Sequence, residues 1–185
     1  MRQNAFRRIP VVGVEDGSFK KGITRKTKLV AVLFLETKIE DVHTTNVTVD
    51  GMDATEVLLN MVKGWSFGAV LLSGVSFAGF NIIDPTVIHE RYGKPVVVIS
   101  RAEPDNVAVK RALKRHFKDW EIRWSIFEKL GEVHKVQVIE DAEPVYIETI
   151  GETVEWAQAL IQAFSFFGRI PEPLRVARLI ARGIS

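Results

Sequence analysis

The stretch VVGVEDGSFK, Val11–Lys20, carries a β-type apolar run directly into two carboxylates and a glycine. The apolar residues predict a buried strand over Ile9–Val14. Glu15 and Asp16 follow this strand, and Gly17 lets the backbone turn away sharply after them. Two interpretations are open: the acids are the polar end of an ordinary strand, or the strand delivers Asp16 to a functional site.

Two more strands are predicted after the first one. KLVAVLFLET, Lys28–Thr37, is rich in branched and large apolar side chains, and VHTTNVTV, Val42–Val49, is alternating and β-branched. The connection before the second strand, GSFKKGITRKTK, is polar and basic and is of hairpin type. These features predict a three-strand meander.

Beyond Val49, helices alternate with strands. The predicted helices are Ala54–Trp65, Asp84–Tyr92, Asp105–Phe117, Trp120–Leu130, Thr153–Phe167 and Glu172–Arg182, and the predicted strands are Phe67–Val75, Lys94–Ser100, Lys135–Ile139 and Val145–Thr149. The first two of these strands are nearly continuous apolar runs, which is typical of parallel strands covered on both faces. The pattern predicts one α/β domain over residues 1–185, with a mixed sheet and helices on both faces.

The composition excludes several kinds of protein and site. The chain has 185 residues, of which 46% are hydrophobic, and a net charge of +2. A nucleic-acid partner would therefore have to be bound by local clusters of basic residues. The absence of cysteine excludes disulfides, zinc–cysteine sites and thiol catalysis. No apolar run approaches the roughly 20 residues that cross a bilayer, so we expect a cytoplasmic protein without a membrane partner.

Four aspartates follow strands or loops and are candidate catalytic residues. They are Asp16, Asp50, Asp53 and Asp84. Carboxylates that converge from separate strand ends can bind Mg²⁺ or Mn²⁺ through oxygen, and we consider Asp16, Asp53 and Asp84 the candidate metal ligands. The alternative is that all but Asp16 are turn or cap residues. Asp53, with Glu56 three residues later, fits a capping box.

The loop SGVSFAGFN, between the Phe67 strand and the next helix, is a second candidate site. In mixed sheets, ligands bind at the carboxyl ends of parallel strands, and we expect this loop to lie beside Asp16. Its backbone N–H groups could bind an anion, or it could be a simple crossover between sheet and helix. Its candidate residues are Ser73, Gly74, Ser76, Gly79 and Asn81.

Basic residues cluster at two places that matter for a polyanionic partner. One cluster is the loop that directly follows Asp16, and the other is the last helix, in which arginines recur at helical spacing. A basic loop next to an acid cluster suits a phosphate-rich substrate such as nucleic acid; the alternative is a solvated surface. The candidate nucleic-acid-binding residues are Lys20, Lys21, Arg25, Lys26, Arg175 and Arg178.

Four segments carry a resemblance to a known family. They are VVGVEDGSFK, SGVSFAGFNIIDP, GKPVVVISR and GRIPEPLRVARLIARG. They resemble the archaeal uncharacterised family described as domain of unknown function 99, over essentially the whole chain. That family is similar, more distantly, to endonuclease V. The resemblance implies a ribonuclease H-like fold.

The endonuclease V likeness implies a metal ligand at Asp16, since Asp16-Gly17-Ser18-Phe19 matches the first-strand motif of those enzymes. Other motifs depart from the pattern. VDGMDATE stands where endonuclease V has a glutamate between a proline-glycine and an arginine-glutamate. Ser73-Gly74 stands where it has an aspartate before a glycine-rich segment, with Asp84 about ten residues further on. The histidine-proline-arginine that follows in those enzymes is missing.

Three functions therefore remain open at the level of the sequence. The first is a metal-dependent nuclease that acts on nucleic acid, using Mg²⁺ or Mn²⁺ at Asp16. The second is a nucleic-acid-binding module that has kept the fold and lost cleavage. The third is a small-molecule or protein-interaction domain in which the SGVSFAGFN loop holds a ligand. The sequence does not predict an oligomeric state.

Overall fold

A computed structural model of the protein describes residues 2–185, which form a seven-stranded sheet, a separate two-stranded ribbon and seven helices. The strands are β1 (Val11–Asp16), β2 (Lys26–Leu35), β3 (Lys38–Thr48), β4 (Ala69–Leu72), β5 (Ser76–Phe77), β6 (Asn81–Ile82), β7 (Val96–Ser100), β8 (His134–Val136) and β9 (Val145–Ile150). The helices are α1 (Arg2–Arg7), α2 (Ala54–Met61), α3 (Pro85–Tyr92), α4 (Asn106–His116), α5 (Trp120–Lys129), α6 (Val154–Phe164) and α7 (Glu172–Gly183).

The large sheet has the strand order β3-β2-β1-β4-β7-β9-β8. The predicted meander is confirmed, because β1 pairs antiparallel with β2 and β2 antiparallel with β3. The expected neighbourhood of the first strand and the Phe67 strand is also confirmed, because β1 pairs parallel with β4. β4 in turn pairs parallel with β7. Three parallel strands at the centre therefore present their carboxyl ends at one edge of the sheet.

Helices cover both faces of the sheet, as predicted. We call the face covered by α2, α3 and α5 the front face, and the face covered by α1, α6 and α7 the back face. Strand β1 shows the alternation that produces them, since Val12 and Val14 pack into the front core and Val11 into the back core. Gly13 lets α7 approach closely, because a Cβ there would collide with the backbone of Pro173.

The first strand differs from its predicted bounds in a way that matters for the site. It starts after Pro10 and continues through both acids, since Glu15 pairs with Val30 and Asp16 with Leu29 of β2. The two carboxylates therefore extend from opposite faces of a regular strand rather than from a loop after it.

Two elements were missed by the sequence reading. Helix α1 was not predicted, and neither was the β5–β6 ribbon, which replaces most of the SGVSFAGFN loop. The ribbon strands have two residues each, which is too short for an alternating pattern to appear. Between residues 2 and 185 the structure contains no helix long and apolar enough to cross a membrane.

Candidate functional site

Asp16 lies at the carboxyl edge of the three parallel strands, at the end of β1. Because side chains alternate along a strand, it faces front, like Val12 and Val14. Its Oδ2 accepts a hydrogen bond from the backbone N–H of Ala78, at 2.5 Å. Burial raises the pKa of Asp16 above its usual value, although the Ala78 hydrogen bond and Arg182 favour the ionised form.

Asp50 meets the same short turn from another element. It follows β3 in a left-handed backbone conformation, with φ of 57°. Its Oδ1 accepts from the N–H of Phe80 at 2.9 Å, and its own N–H donates to the carbonyl of Ala78 at 2.8 Å. We call Ala78–Phe80 the acid-bound turn, because Asp16 and Asp50 hydrogen-bond to its two ends. One carboxylate oxygen of each acid stays outside these hydrogen bonds.

Gly79, in the middle of the acid-bound turn, is required by both conformation and space. Its φ is +86°, a region that residues with a side chain rarely adopt. A Cβ at this position would also collide with the carboxylate of Asp50. The glycine therefore allows the turn to pass directly over an acid.

Asp16 and Asp50 together fit a hard divalent cation. Mg²⁺ is held in proteins by one or two carboxylates and retains several waters, and each acid offers one such oxygen. A cation there would also favour the ionised form of Asp16, which burial disfavours. The described part of the chain contains no group of three or more histidine, cysteine, aspartate or glutamate side chains arranged to bind a metal. Asp16 and Asp50 are therefore a candidate pair of ligands rather than part of a larger cluster.

Both carboxylate oxygens of Asp53 accept hydrogen bonds from other groups of the protein. They accept hydrogen bonds from the Thr48 N–H at 3.2 Å, the Thr48 hydroxyl at 2.7 Å and the Asn81 side-chain amide at 2.5 Å. Burial opposes its ionisation, but these hydrogen bonds outweigh it and lower the pKa of Asp53. The predicted capping box is wrong, because Asp53 occupies the N-cap position of α2 without making a side-chain cap bond.

Asp84 has the cap role that was the alternative interpretation. Its Oδ1 accepts from the N–H of Thr86 at 2.9 Å at the start of α3, and its Oδ2 lies 3.3 Å from the Nζ of Lys129. Neither Asp53 nor Asp84 hydrogen-bonds to the acid-bound turn. Of the four predicted aspartates, Asp16 and Asp50 are the two that hydrogen-bond to the acid-bound turn.

Two buried polar residues hydrogen-bond to the backbone segments around the acid pair. Asn81 is fully buried, and its side chain accepts from the N–H of Ala54 and donates to the carbonyl of Thr48. Arg123, at 4% exposure, donates to the carbonyls of Asp50, Gly51 and Phe80, and pairs with Asp119 at 3.0 Å. Arg123 thereby joins the turn that carries Asp50 to the acid-bound turn. Its only signal in the sequence is the i,i+4 spacing from Asp119.

Glu15 occupies the opposite, back face of β1. Its pKa is raised to about 7, mainly by burial and further by the charge of Asp16, while the Ser73 hydroxyl, Arg178 and Arg182 oppose the shift. Its Oε2 is buried and has no hydrogen-bond partner among the residues that the structure describes. Ser73 directly follows β4, and its hydroxyl acts on Glu15, on the back face, rather than on Asp16.

The predicted basic loop after Asp16 is solvent-exposed at Lys20, Lys21, Arg25 and Lys26. Lys20 and Lys26 line one cavity, of about 350 Å³. Lys21 lines another, of about 250 Å³, beside the acid pair. That second cavity also contains Phe19, Asp50, Gly79, Phe80, His116 and Phe117. The loop therefore places positive charge next to Asp50.

Five arginines line one groove on the back face, which we call the arginine groove. Its lining includes Arg101, Phe167, Arg169, Arg175, Arg178 and Arg182, around a volume of about 370 Å³. Arg175 and Arg178 are the two groove residues that the sequence predicted. Arg175 pairs with Glu172 at 2.7 Å. The positive charge of Arg178 favours the ionised form of Glu15 at the end of β1. Arg101 was missed because only folding brings it beside α7, and Arg169, three residues before α7, was missed although it is close to the helix in sequence.

The sequence model that describes endonuclease dU matches residues 7–185. The chain belongs to the endonuclease dU family. A UPF0215 protein of Methanothermobacter thermautotrophicus is 37% identical over 100% of this chain and 94% of its own length. A UPF0215 protein of Methanosarcina acetivorans is 37% identical over 95% of this chain and 90% of its own length. The predicted resemblance to an archaeal family distantly like endonuclease V is confirmed.

Solved structures confirm the ribonuclease H-like, endonuclease V-like fold of this endonuclease dU family member. A protein of unknown function from Archaeoglobus fulgidus is 30% identical, with a TM-score of 0.84 over 95% of this chain and 98% of that one. A second similar structure is endonuclease V of Ciona intestinalis in complex with a 24mer DNA containing an inosine followed by a ribo-adenosine. Its TM-score is 0.65 at 16% identity, over 99% of this chain and 94% of that one. At that identity the likeness concerns the fold alone.

One further acid of this endonuclease dU family member escaped the sequence reading. Glu148 lies in β9 at 5% exposure, and burial raises its pKa to about 7. A signal was present: β9 carries apolar residues on both of its faces, Ile147 on one and Ile150 on the other. An acid in a strand covered on both sides is buried unless the strand lies at an edge.

Proposed function

We propose that this protein is a metal-dependent endonuclease that cleaves DNA containing deoxyuridine, with Asp16 and Asp50 at its catalytic centre. The observation that carries the proposal is the convergence of these two acids, from separate elements, on the acid-bound turn. The family description supplies the substrate class. The structural likeness to a DNA-bound endonuclease V supports a nucleic-acid partner.

The residues divide the work as follows. Asp16 and Asp50 would hold Mg²⁺ or Mn²⁺ through the oxygens that the turn leaves free. When bound, such an ion stabilises the charge on the attacking and leaving oxygens of the phosphate. The basic loop at Lys20 and Lys21 and the arginine groove bind phosphates on either side of the β1 tip. Arg123 fixes the turn that carries Asp50 against the acid-bound turn.

Cleavage of a labelled oligonucleotide with a single deoxyuridine tests the proposal, in Mg²⁺, in Mn²⁺ and in EDTA. Asp16→Asn and Asp50→Asn keep a hydrogen-bond acceptor for the turn but remove a negative charge, so both should lose cleavage. Asp84→Asn is the matched control: asparagine caps a helix as well as aspartate does, so this variant should cleave normally. Equal cleavage by wild type and Asp16→Asn would refute the proposal.

A second candidate is a nucleic-acid-binding module without cleavage. Ser73 favours it, because it stands where endonuclease V has an acid and is directed to Glu15 on the other face. If the protein only binds nucleic acid, DNA binding should depend on salt and should not change in Asp16→Asn. No cleavage should then be seen with Mg²⁺ or Mn²⁺. The same experiment therefore separates the two functions.

A further inference from the structure

The front face contains a second cleft, centred on Glu148, that the proposed chemistry does not use. Val14, Leu72, Val98 and Glu148 are paired across four adjacent strands, and all four face front. With neighbouring strands about 4.8 Å apart, Glu148 is roughly 14 Å from the β1 position. The cleft therefore lies on the same face of the sheet as Asp16, three strand spacings away from β1.

The cleft is small, and its wall combines apolar and polar groups. Its volume is about 190 Å³, and its lining includes Gly74, Ser76, Val98, Ser100, Phe127 and Glu148. A cavity of about 150 Å³ can hold one benzene molecule. The space therefore suits one six-membered ring rather than two fused rings. Gly74 leaves room for a ligand, because nothing lies within 4 Å of the place where its Cβ would be.

Glu148 is the polar group that this cleft encloses. It is 95% buried by residue, and desolvation is the cause of its raised pKa, about 7, without an opposing hydrogen bond or cation. A protonated carboxyl offers one O–H donor and one carbonyl acceptor side by side. The other titratable side chain in the cleft wall is Asp105, whose carboxylate accepts from the N–H of Ala108 at 2.8 Å as the cap of α4.

We infer that the Glu148 cleft binds a single-ring base through its adjacent carbonyl and N–H groups, as in uracil. The Glu148 O–H donates to the base carbonyl, and its carbonyl oxygen accepts from the neighbouring ring N–H. Phe127 and Val98 contact the flat face and edge of the ring. The inference rests on the proposed function for the presence of DNA, and it adds a binding preference: a two-ring base with the same edge, such as hypoxanthine, is too large.

Binding measured without cleavage tests this inference. Fluorescence anisotropy in EDTA compares wild type, Glu148→Gln and Glu148→Leu on single-stranded oligonucleotides with one deoxyuridine, one deoxyinosine or one abasic analogue at the same position. Wild type and Glu148→Gln, which both offer a donor and an acceptor, should prefer deoxyuridine to the other two. Glu148→Leu should lose about tenfold in deoxyuridine affinity, as expected for one or two buried hydrogen bonds.

The pH dependence provides a second, independent measurement. Wild-type preference for deoxyuridine should fall as the pH rises above about 7, because Glu148 loses the proton that it donates. Glu148→Gln should keep its preference at high pH. Unchanged deoxyuridine binding by Glu148→Leu, or a wild-type preference for deoxyinosine, would overturn the inference.

Failure here is distinguishable from failure of the proposed function. Asp16→Asn should abolish cleavage but keep the Glu148-dependent preference in binding. A protein that binds with this preference but never cleaves would retain the cleft inference and lose the nuclease proposal. Equal cleavage of deoxyuridine DNA by wild type and Glu148→Leu would retain the nuclease proposal and lose the cleft inference.

Discussion

Replacing Glu148 by glutamine should change how the stability of the protein depends on pH. In the folded protein the pKa of Glu148 is raised from 4.5 to about 7 by burial. The folded state therefore binds a proton that the unfolded chain has already lost between these two values. Stability falls with rising pH wherever the folded state binds more protons, so the Glu148 contribution is complete below about pH 4.5 and is lost as the pH rises through 7.

The size of the effect follows from the same values. One pKa unit corresponds to about 1.4 kcal/mol, and the difference between folded and unfolded chains corresponds to about 3 kcal/mol. Glutamine has nearly the same shape and does not titrate. Relative to wild type, Glu148→Gln should therefore gain about 2 to 3 kcal/mol in free energy of unfolding between pH 4.5 and pH 8.5.

Urea unfolding followed by circular dichroism, at intervals of half a pH unit, measures this difference. Subtracting the wild-type free energy of unfolding from that of the variant removes contributions common to both proteins, including that of Glu15, whose pKa is also raised to about 7. Glu128→Gln, at an exposed position on α5, is a control that should show no comparable trend. A difference between wild type and Glu148→Gln that stays constant across this range would refute the assignment of Glu148 as a buried neutral acid.

Three further substitutions test the supporting structure. Gly79→Ala should lower the free energy of unfolding by about 1 to 3 kcal/mol beyond Gly22→Ala in thermal denaturation, because both glycines have positive φ but only a Cβ at 79 meets an obstacle. Arg178→Ala should weaken DNA binding and make the slope of log affinity against log salt shallower by about one; Arg115→Ala, outside the arginine groove, should not. Arg123→Met should lower the free energy of unfolding in urea by about 3 kcal/mol, since it leaves Asp119 and three half-buried carbonyls without their donor.

Regular elements were predictable because their patterns are long. The ten residues of β2 contain a long apolar run, and the eleven residues of α4 are amphipathic. The β5–β6 ribbon is too short to show such a pattern, and the turn between its strands hydrogen-bonds to Asp16 and Asp50, which are distant in sequence.

The candidate site was predictable only as a set. Sequence reasoning named four aspartates and chose Asp16, Asp53 and Asp84 as metal ligands, whereas Asp50 is the acid that shares the acid-bound turn with Asp16. In the structure Asp53 accepts hydrogen bonds from Thr48, nearby in sequence, and from the distant Asn81, and Asp84 accepts from the first turn of α3. Arg101 was missed because the α7 residues beside it are distant in sequence, whereas the burial of Glu148 had a signal in the apolar residues on both faces of β9.

The acid pair and the arginine groove lie on opposite faces of one sheet, and they approach each other only at the tip of β1. A polynucleotide that reached both would have to fold over this rim within a few nucleotides. Duplex DNA is stiff on that scale, with a persistence length of about 150 base pairs. Such a path is easier for a frayed, mismatched or unpaired stretch, so the architecture itself would select for places where the double helix is already weak.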